Sequence, residues 1–97
     1  MASSKEYLEY VLEQLSLAEG LRWRPMMGEY LIYCRGKLVG GVYDDRLLVK
    51  PTKSALALLP DAPREEPYPG GKPMLLVTEM ENKSFLQELL EAVAGDV

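Results

Sequence analysis

Apolar residues cluster on one helical face at each end of the chain. Near the N-terminus they are Tyr7, Leu8, Val11, Leu12 and Leu15. Near the C-terminus the same pattern returns at Phe85, Leu86, Leu89, Leu90 and Val93. Positions three and four residues apart lie on one side of a helix, so both segments predict amphipathic helices that pack against a core.

The predicted limits of these helices rest on capping residues. Ser3 and Glu6 have the spacing of a capping box, which predicts a helix start at Ser3, and Gly20 is the predicted stop. Asn82 can cap the C-terminal helix, and Gly95 is expected to close it.

The middle of the chain is typical of strands joined by tight turns. Turn residues at Gly28, Gly36 and Asp44-Asp45 separate the runs, and a further apolar run follows at residues 74–78. The strand segments are residues 21–25, 29–34, 38–43, 46–50 and 74–78. Pro25 cannot donate to a central ladder, so the first segment is expected at a sheet edge. The pair Gly40-Gly41 predicts a bulge or a close approach by something bulky, such as Trp23 or the first helix.

Two segments link the fourth and fifth strands. Thr52 can cap a short helix that runs through Leu59, with Leu56 and Leu59 facing inward, and Pro60 stops it. Residues 60–73 are rich in proline and glycine and predict a long loop anchored by Tyr68. The sequence therefore predicts one α+β domain over residues 1–97. Its antiparallel meander sheet has about five strands, and N-terminal, C-terminal and short middle helices pack on it.

Composition narrows the classes of function. The chain has 97 residues, 47% of them hydrophobic, and a net charge of −4, which argues against a general nucleic-acid binder. We expect no direct sequence-specific binding of nucleic acid. One cysteine and no secretory signal or membrane-length apolar run indicate a cytoplasmic protein without membrane contact.

The residues offer little catalytic equipment. Histidine is absent, and Cys34 shares a strand face with Tyr30 and Ile32, which is typical of a buried thiol. The acidic pairs at residues 44–45 and 65–66 are typical of solvated turns. Residues 69–73 resemble a phosphate cradle only in composition, because the P-loop spacing is missing. We expect no enzyme activity, catalytic residue, metal or cofactor.

A mixed basic and apolar face is the candidate binding surface. Strand alternation turns several cations and one leucine outward, which would suit the acidic surface of another protein; the alternative is a solvated sheet face with no partner. These residues are Arg22, Arg24, Arg46, Leu48 and Lys50.

Several short motifs together resemble a known family. In chain order they are Arg24-Pro-Met-Met-Gly28, Gly36-Lys37-Leu38, Asp45-Arg-Leu-Leu-Val-Lys50, Tyr68 and Lys72-Pro-Met74, ahead of an apolar helix. This order is similar to the N-terminal domain of the TfoX/Sxy competence regulators. The resemblance implies a secretion-chaperone-like α+β fold and a role in transcription regulation, in which longer members act with the cyclic-AMP receptor protein.

Three functional hypotheses follow. The first is a regulatory or adaptor domain that binds another protein, such as a transcription component. The second is a small acidic chaperone-like homodimer that holds a client segment, with pairing through an edge strand. The third is a small-ligand binder that uses the loop at residues 60–73 over Gly40-Gly41.

Overall fold

The computed structural model describes residues 2–97, which form three helices and one six-stranded antiparallel sheet. The elements are α1 (Lys5–Gln14), β1 (Arg22–Met26), β2 (Glu29–Cys34), β3 (Lys37–Val42), β4 (Leu47–Val49), α2 (Lys53–Leu58), β5 (Arg64–Glu65), β6 (Met74–Leu76) and α3 (Lys83–Asp96). The strand order is β1-β2-β3-β4-β6-β5. The α+β prediction is confirmed, and the structure adds the two-residue strand β5 inside the loop predicted for residues 60–73.

Three two-residue turns fold β1 to β4 into consecutive hairpins. All six turn residues have positive φ, between 52° and 86°, as type I′ turns require. They are Met27-Gly28, Arg35-Gly36 and Asp44-Asp45. Their twist matches that of the flanking strands, so the meander forms without long connections.

The hydrophobic core lies between the helices and one face of the sheet, here called the inner face. Helix α3 lies against β2, β3 and α2. The fully buried side chains of this core include Leu8, Val11, Leu15, Val39, Val42, Val49, Leu86, Leu89, Leu90 and Val93. Each contributes about 1.5–3 kcal/mol by burial, so these apolar faces account for most of the driving force.

Helix α1 is shorter than its sequence pattern predicts. Its N-cap is Ser4, which accepts a hydrogen bond from the Tyr7 main-chain N–H, so the start predicted at Ser3 is wrong. The Ser3 hydroxyl instead donates to Glu29 Oε1 at 2.7 Å and accepts from the Asp45 N–H at 3.0 Å. These tertiary bonds tie the N-terminal segment to two hairpin turns.

The same helix ends at Gln14, well before the stop predicted at Gly20. The following turns bury Leu15 and Ala18, and the Glu19 carbonyl accepts from the Arg35 N–H at 3.1 Å. A longer straight helix would not bring this carbonyl back to the β2–β3 turn.

The other two helices, α2 and α3, begin at the N-cap residues that the sequence predicts. Thr52 and Asn82 accept from main-chain N–H groups three residues on, as predicted. Leu59 packs on the core, but Leu56 is 39% exposed, because the inward face of α2 contains Ala55 instead. Helix α3 continues past Gly95 to Asp96.

The Gly40-Gly41 pair lies at the predicted bulge, where the β2–β3 register shifts between Ile32 and Tyr33. A Cβ atom at Gly40 would collide with the Leu48 carbonyl oxygen, and one at Gly41 would lie 2.6 Å from the Tyr43 ring. The expected close approach exists, but β4 and Tyr43 make it rather than Trp23 or α1.

No helix within residues 2–97 is both long enough and apolar enough to span a membrane.

Candidate functional site

The outer face of the sheet, opposite the helices, holds the candidate binding residues. A segment of the long loop, residues 66–73, lies over part of this face beside β4 and β6. The rest of the outer face, towards β1, stays open. This divides the candidate surface into an open edge and a loop-covered groove.

The structure does not bring the five predicted face residues into one patch. Arg22 and Arg24 lie on β1, whereas Arg46 and Lys50 flank β4, with β2 and β3 between them. Three strand spacings separate β1 from β4, or about 14 Å. The predicted face is therefore two separate groups of cations.

Leu48 is turned outward as predicted, but it is fully buried and cannot contact a partner. Its neighbours in register are Gly41 on β3 and Leu76 on β6. The Tyr43 ring lies against Gly41 on the same face. Leu48 therefore belongs to a small apolar layer on the outer face, which the alternation pattern alone could not distinguish from an exposed position.

Arg46 holds the long loop in place. Its Nη1 lies 2.6 Å from Glu65 Oε1, its Nη2 donates to the Glu66 carbonyl, and its Nε donates to the Tyr43 carbonyl. The ion pair is partly shielded, with side-chain exposures of 26% and 35%. These contacts use the charge of Arg46 within the fold, so it is a structural residue and not a free binding group.

The open edge carries exposed cations beside an aromatic ring. We call Arg22, Trp23 and Arg24 the basic edge; all three side chains are exposed. Among the residues that the structure describes, neither arginine forms a salt bridge. Trp23 packs edge-on against Tyr30 at 5.5 Å, and Lys5 Nζ lies 5.6 Å from its ring centre.

The hairpin register determines which main-chain groups of β1 point outward. Met26 and Glu29 close a two-residue turn and form a hydrogen-bonded pair, so the pairs alternate from there. Trp23 and Pro25 then occupy non-hydrogen-bonded positions. Their main-chain groups point away from β2, in the plane of the sheet, towards the open edge. Pro25 lacks an N–H, so it costs no ladder bond at this edge, as predicted.

A groove of about 640 Å³ lies between the loop and the outer face; we call it the outer groove. Its walls include the rings of Tyr43 and Tyr68 and the side chains of Leu38 and Met74. Gly70 and Gly71 form the turn at its rim, where the Gly71 N–H donates to the Tyr68 carbonyl. The volume is in the range of small-molecule sites.

Two tyrosines give the groove an aromatic wall. Their ring centres are 6.4 Å apart and tilted by 58°. Tyr43 is buried, whereas Tyr68 is 53% exposed. Burial, and secondarily the neighbouring Tyr68, raises the pKa of the Tyr43 phenol. A tyrosine phenol is protonated at neutral pH in any case, so it can donate a hydrogen bond.

Two lysines line the same groove. Lys50 follows β4 and is half-buried, and Lys72 precedes β6 and is exposed. Within residues 2–97, neither takes part in a salt bridge. Strand alternation placed Lys50 on the outward face, as the structure does, and the small-ligand hypothesis placed the loop at residues 60–73 over Gly40-Gly41. The prediction grouped Lys50 with the β1 arginines and not with Lys72, because no local pattern indicates which loop residue reaches Lys50.

Cys34 is unsuited to nucleophilic chemistry. Its thiol is fully buried and donates to the Glu19 carbonyl at 3.3 Å. Burial raises the pKa of this thiol, and the Glu91 carboxylate adds to the effect. No group of three histidine, cysteine or acidic side chains within residues 2–97 could hold a metal ion.

Comparison with known proteins gives one informative relative. Neither a family model nor a solved structure matches the chain. The chain is 32% identical over 96 residues to the "Uncharacterized 12.7 kDa protein in trpE 5'region" of Spirochaeta aurantia. This similarity covers 98% of the chain and 84% of the relative. The chain therefore belongs to the same family as this 12.7 kDa spirochaete protein.

Proposed function

We propose that this chain is a non-enzymatic, cytoplasmic adaptor or regulatory domain that binds an acidic segment of another protein along its basic edge. The observation that carries the proposal is the edge strand β1, on which Arg22, Trp23 and Arg24 are all exposed. The resemblance to the competence-regulator domain suggests that the partner is a transcription component.

The geometry of β1 suits an extended partner. An added strand can hydrogen-bond to the outward main-chain groups of Trp23 and to the Pro25 carbonyl. Arg22 and Arg24 lie in register with Tyr33 and Leu31, so both project to the outer face. Acidic residues at alternate positions of the partner would lie opposite them.

The same geometry favours an adaptor over a homodimer paired through this edge. Two β1 strands placed side by side would bring the arginines of both copies together, and like charges opposite each other destabilise strand pairing. Pro25 also removes one main-chain donor from the edge. We therefore expect a monomer, and a homodimer that holds extended clients is the alternative.

Trp23, the only tryptophan of the chain, provides a direct test. Its fluorescence should change when a short, end-blocked peptide of alternating glutamate and valine binds, and the matched lysine–valine peptide should have no effect. The double variant Arg22→Glu/Arg24→Glu should weaken binding at least about ten-fold, because two charge pairs become repulsive. Added salt should weaken the wild-type complex.

The control variant has the same change in net charge as Arg22→Glu/Arg24→Glu, but at positions outside β1. Lys53→Glu/Arg64→Glu replaces two exposed cations away from β1 and should leave the affinity within about two-fold of wild type. If both double variants lose affinity equally, binding depends on net charge and the proposed site is wrong. Size-exclusion chromatography that shows a dimer broken by Arg22→Glu/Arg24→Glu would favour the chaperone-like alternative.

A second experiment tests the regulatory role. A lysate capture with wild type and both double variants should retain a transcription component on wild type and on the control, and lose it with Arg22→Glu/Arg24→Glu. Capture of the same unfolded chains by all three proteins would contradict the adaptor role.

A further inference from the structure

The outer groove combines features that a binding site for a small charged ring compound needs. It is concave, it has an aromatic wall from Tyr43 and Tyr68, and it carries the cations Lys50 and Lys72. Small-molecule sites typically join apolar walls to a few polar groups that fix orientation. The groove lies over β3, β4 and β6, and β2 separates these strands from β1 and its basic edge, so the groove is a separate site.

The charge of the groove is unusual for this molecule. The chain as a whole has a net charge of −4, yet the groove lining contains two lysines and no acidic residue. Nearby, the carboxylate of Glu65 is engaged by Arg46. An anion would therefore gain from both lysines without facing a carboxylate in the groove wall.

The groove is also formed by contacts that fix its shape. Arg46 holds the loop at Glu65 and Glu66, and Tyr68 packs against Tyr43. A Cβ atom at Gly71 would lie 3.0 Å from both Pro67 and the Tyr68 ring, so the loop is tightly folded at this point. A preformed wall lowers the entropy cost of ligand binding.

We propose that the outer groove binds a small organic anion that carries a flat ring, with the ring against Tyr68 and the anionic group between Lys50 and Lys72. Tyr43 can add a hydrogen bond from its phenol. A flat ring would pack on the aromatic wall, and an anionic group would interact with the two lysines. We therefore expect a ligand that carries both to bind more tightly than one that carries only the ring or only the charge.

The test uses a set of probes that separates ring from charge. Naphthalene-2-sulfonate should shift the amide resonances of Gly40, Gly70, Gly71 and Lys72 in ¹H–¹⁵N spectra of the full chain. Neutral 2-naphthol, which keeps the ring, and inorganic sulfate, which keeps only the charge, should each bind at least about ten-fold more weakly.

Variants separate the groove from general surface charge. Lys50→Gln and Lys72→Gln should each weaken naphthalene-2-sulfonate binding by about three- to ten-fold. Tyr68→Ala removes a half-exposed ring and should weaken binding by a similar factor without unfolding the chain. The matched control Lys53→Gln changes a nearby exposed lysine outside the groove and should have no effect.

Three results would overturn the proposal. They are equal affinity for 2-naphthol, an equal loss with Lys53→Gln, and the absence of groove shifts up to the solubility limit of the probe. The spectra of each variant also report its folding, and the indole N–H resonance of Trp23 should not shift when the probe is added. This last point makes the result independent of peptide binding at the basic edge.

Discussion

The inner face of the sheet is covered by whole helices, whereas the outer face is covered by one loop held by a few polar contacts. On the inner face, fully buried leucines and valines from α1, α3 and the strands interdigitate. On the outer face, Leu48 and Tyr43 form a thin apolar layer beside exposed lysines and arginines. Stability is concentrated on the inner face, and the groups that can bind a partner or ligand remain on the outer face.

We expect substitutions on the inner face to lower the free energy of unfolding more than substitutions on the outer face. Leu89 of α3 is fully buried in the core, and Leu89→Ala should lower the free energy of unfolding by about 2–5 kcal/mol through lost burial and a residual cavity. Urea denaturation measures this change. The control Leu56→Ala removes a leucine that is 39% exposed and should cost about 0.5 kcal/mol. Equal losses would contradict the placement of the core.

A smaller effect is expected where the outer layer is tightest. Gly41→Ala would place a methyl group 2.6 Å from the Tyr43 ring and 2.7 Å from the Tyr30 carbonyl oxygen, and should cost about 1–3 kcal/mol by overpacking. The control Gly95→Ala meets no atom within 4 Å and lies in α3, where it should stabilise by up to about 1 kcal/mol. A neutral Gly41→Ala in thermal and urea melts would show that the outer layer is loosely packed.

The smallest effect concerns a polar contact between two helices. Asp96 Oδ2 accepts from the Ser54 N–H at 2.8 Å, and this hydrogen bond is the main cause of the lowered pKa of the Asp96 carboxyl. A lowered pKa stabilises the fold above the usual aspartate range, near pH 4, and the contribution is lost as the pH falls through the folded-state pKa.

Asp96→Asn should therefore lower the melting temperature slightly at neutral pH, and the difference from wild type should vanish in acid. Melting curves between about pH 7 and about pH 2.5 measure this change. A difference that stays constant over the whole range would mean that the charge of Asp96 does not contribute.

Local chemistry made much of the fold predictable. The apolar stripes of α1 and α3, the caps at Thr52 and Asn82, and the edge position of Pro25 were all correct because each depends on neighbouring residues or on main-chain chemistry. The strand β5 was missed, since two residues give no period and their pairing with β6 depends on the path of the loop.

The candidate site was less predictable for the same reason. Alternation placed Arg22 and Arg24 correctly on the outer face, but it could not show that Arg46 pairs with Glu65 or that Leu48 is buried. Those outcomes depend on residues far along the chain. The groove likewise has Lys50 and Lys72 in its lining, although α2 and the long loop separate them in the chain, and no spacing in the sequence indicates that they share one groove.

The sequence by itself determined the three helices, the strands other than β5, the tight turns, the edge position of β1 and the lack of histidine chemistry, because these follow from side-chain periodicity, capping, main-chain chemistry and composition. Only the tertiary structure decided that Ser3 bonds to Glu29 instead of capping α1, and that the predicted basic face separates into an edge and a groove. The physical reason is that long-range hydrogen bonds, ion pairs and strand order depend on how distant segments meet, and a local pattern does not contain that information.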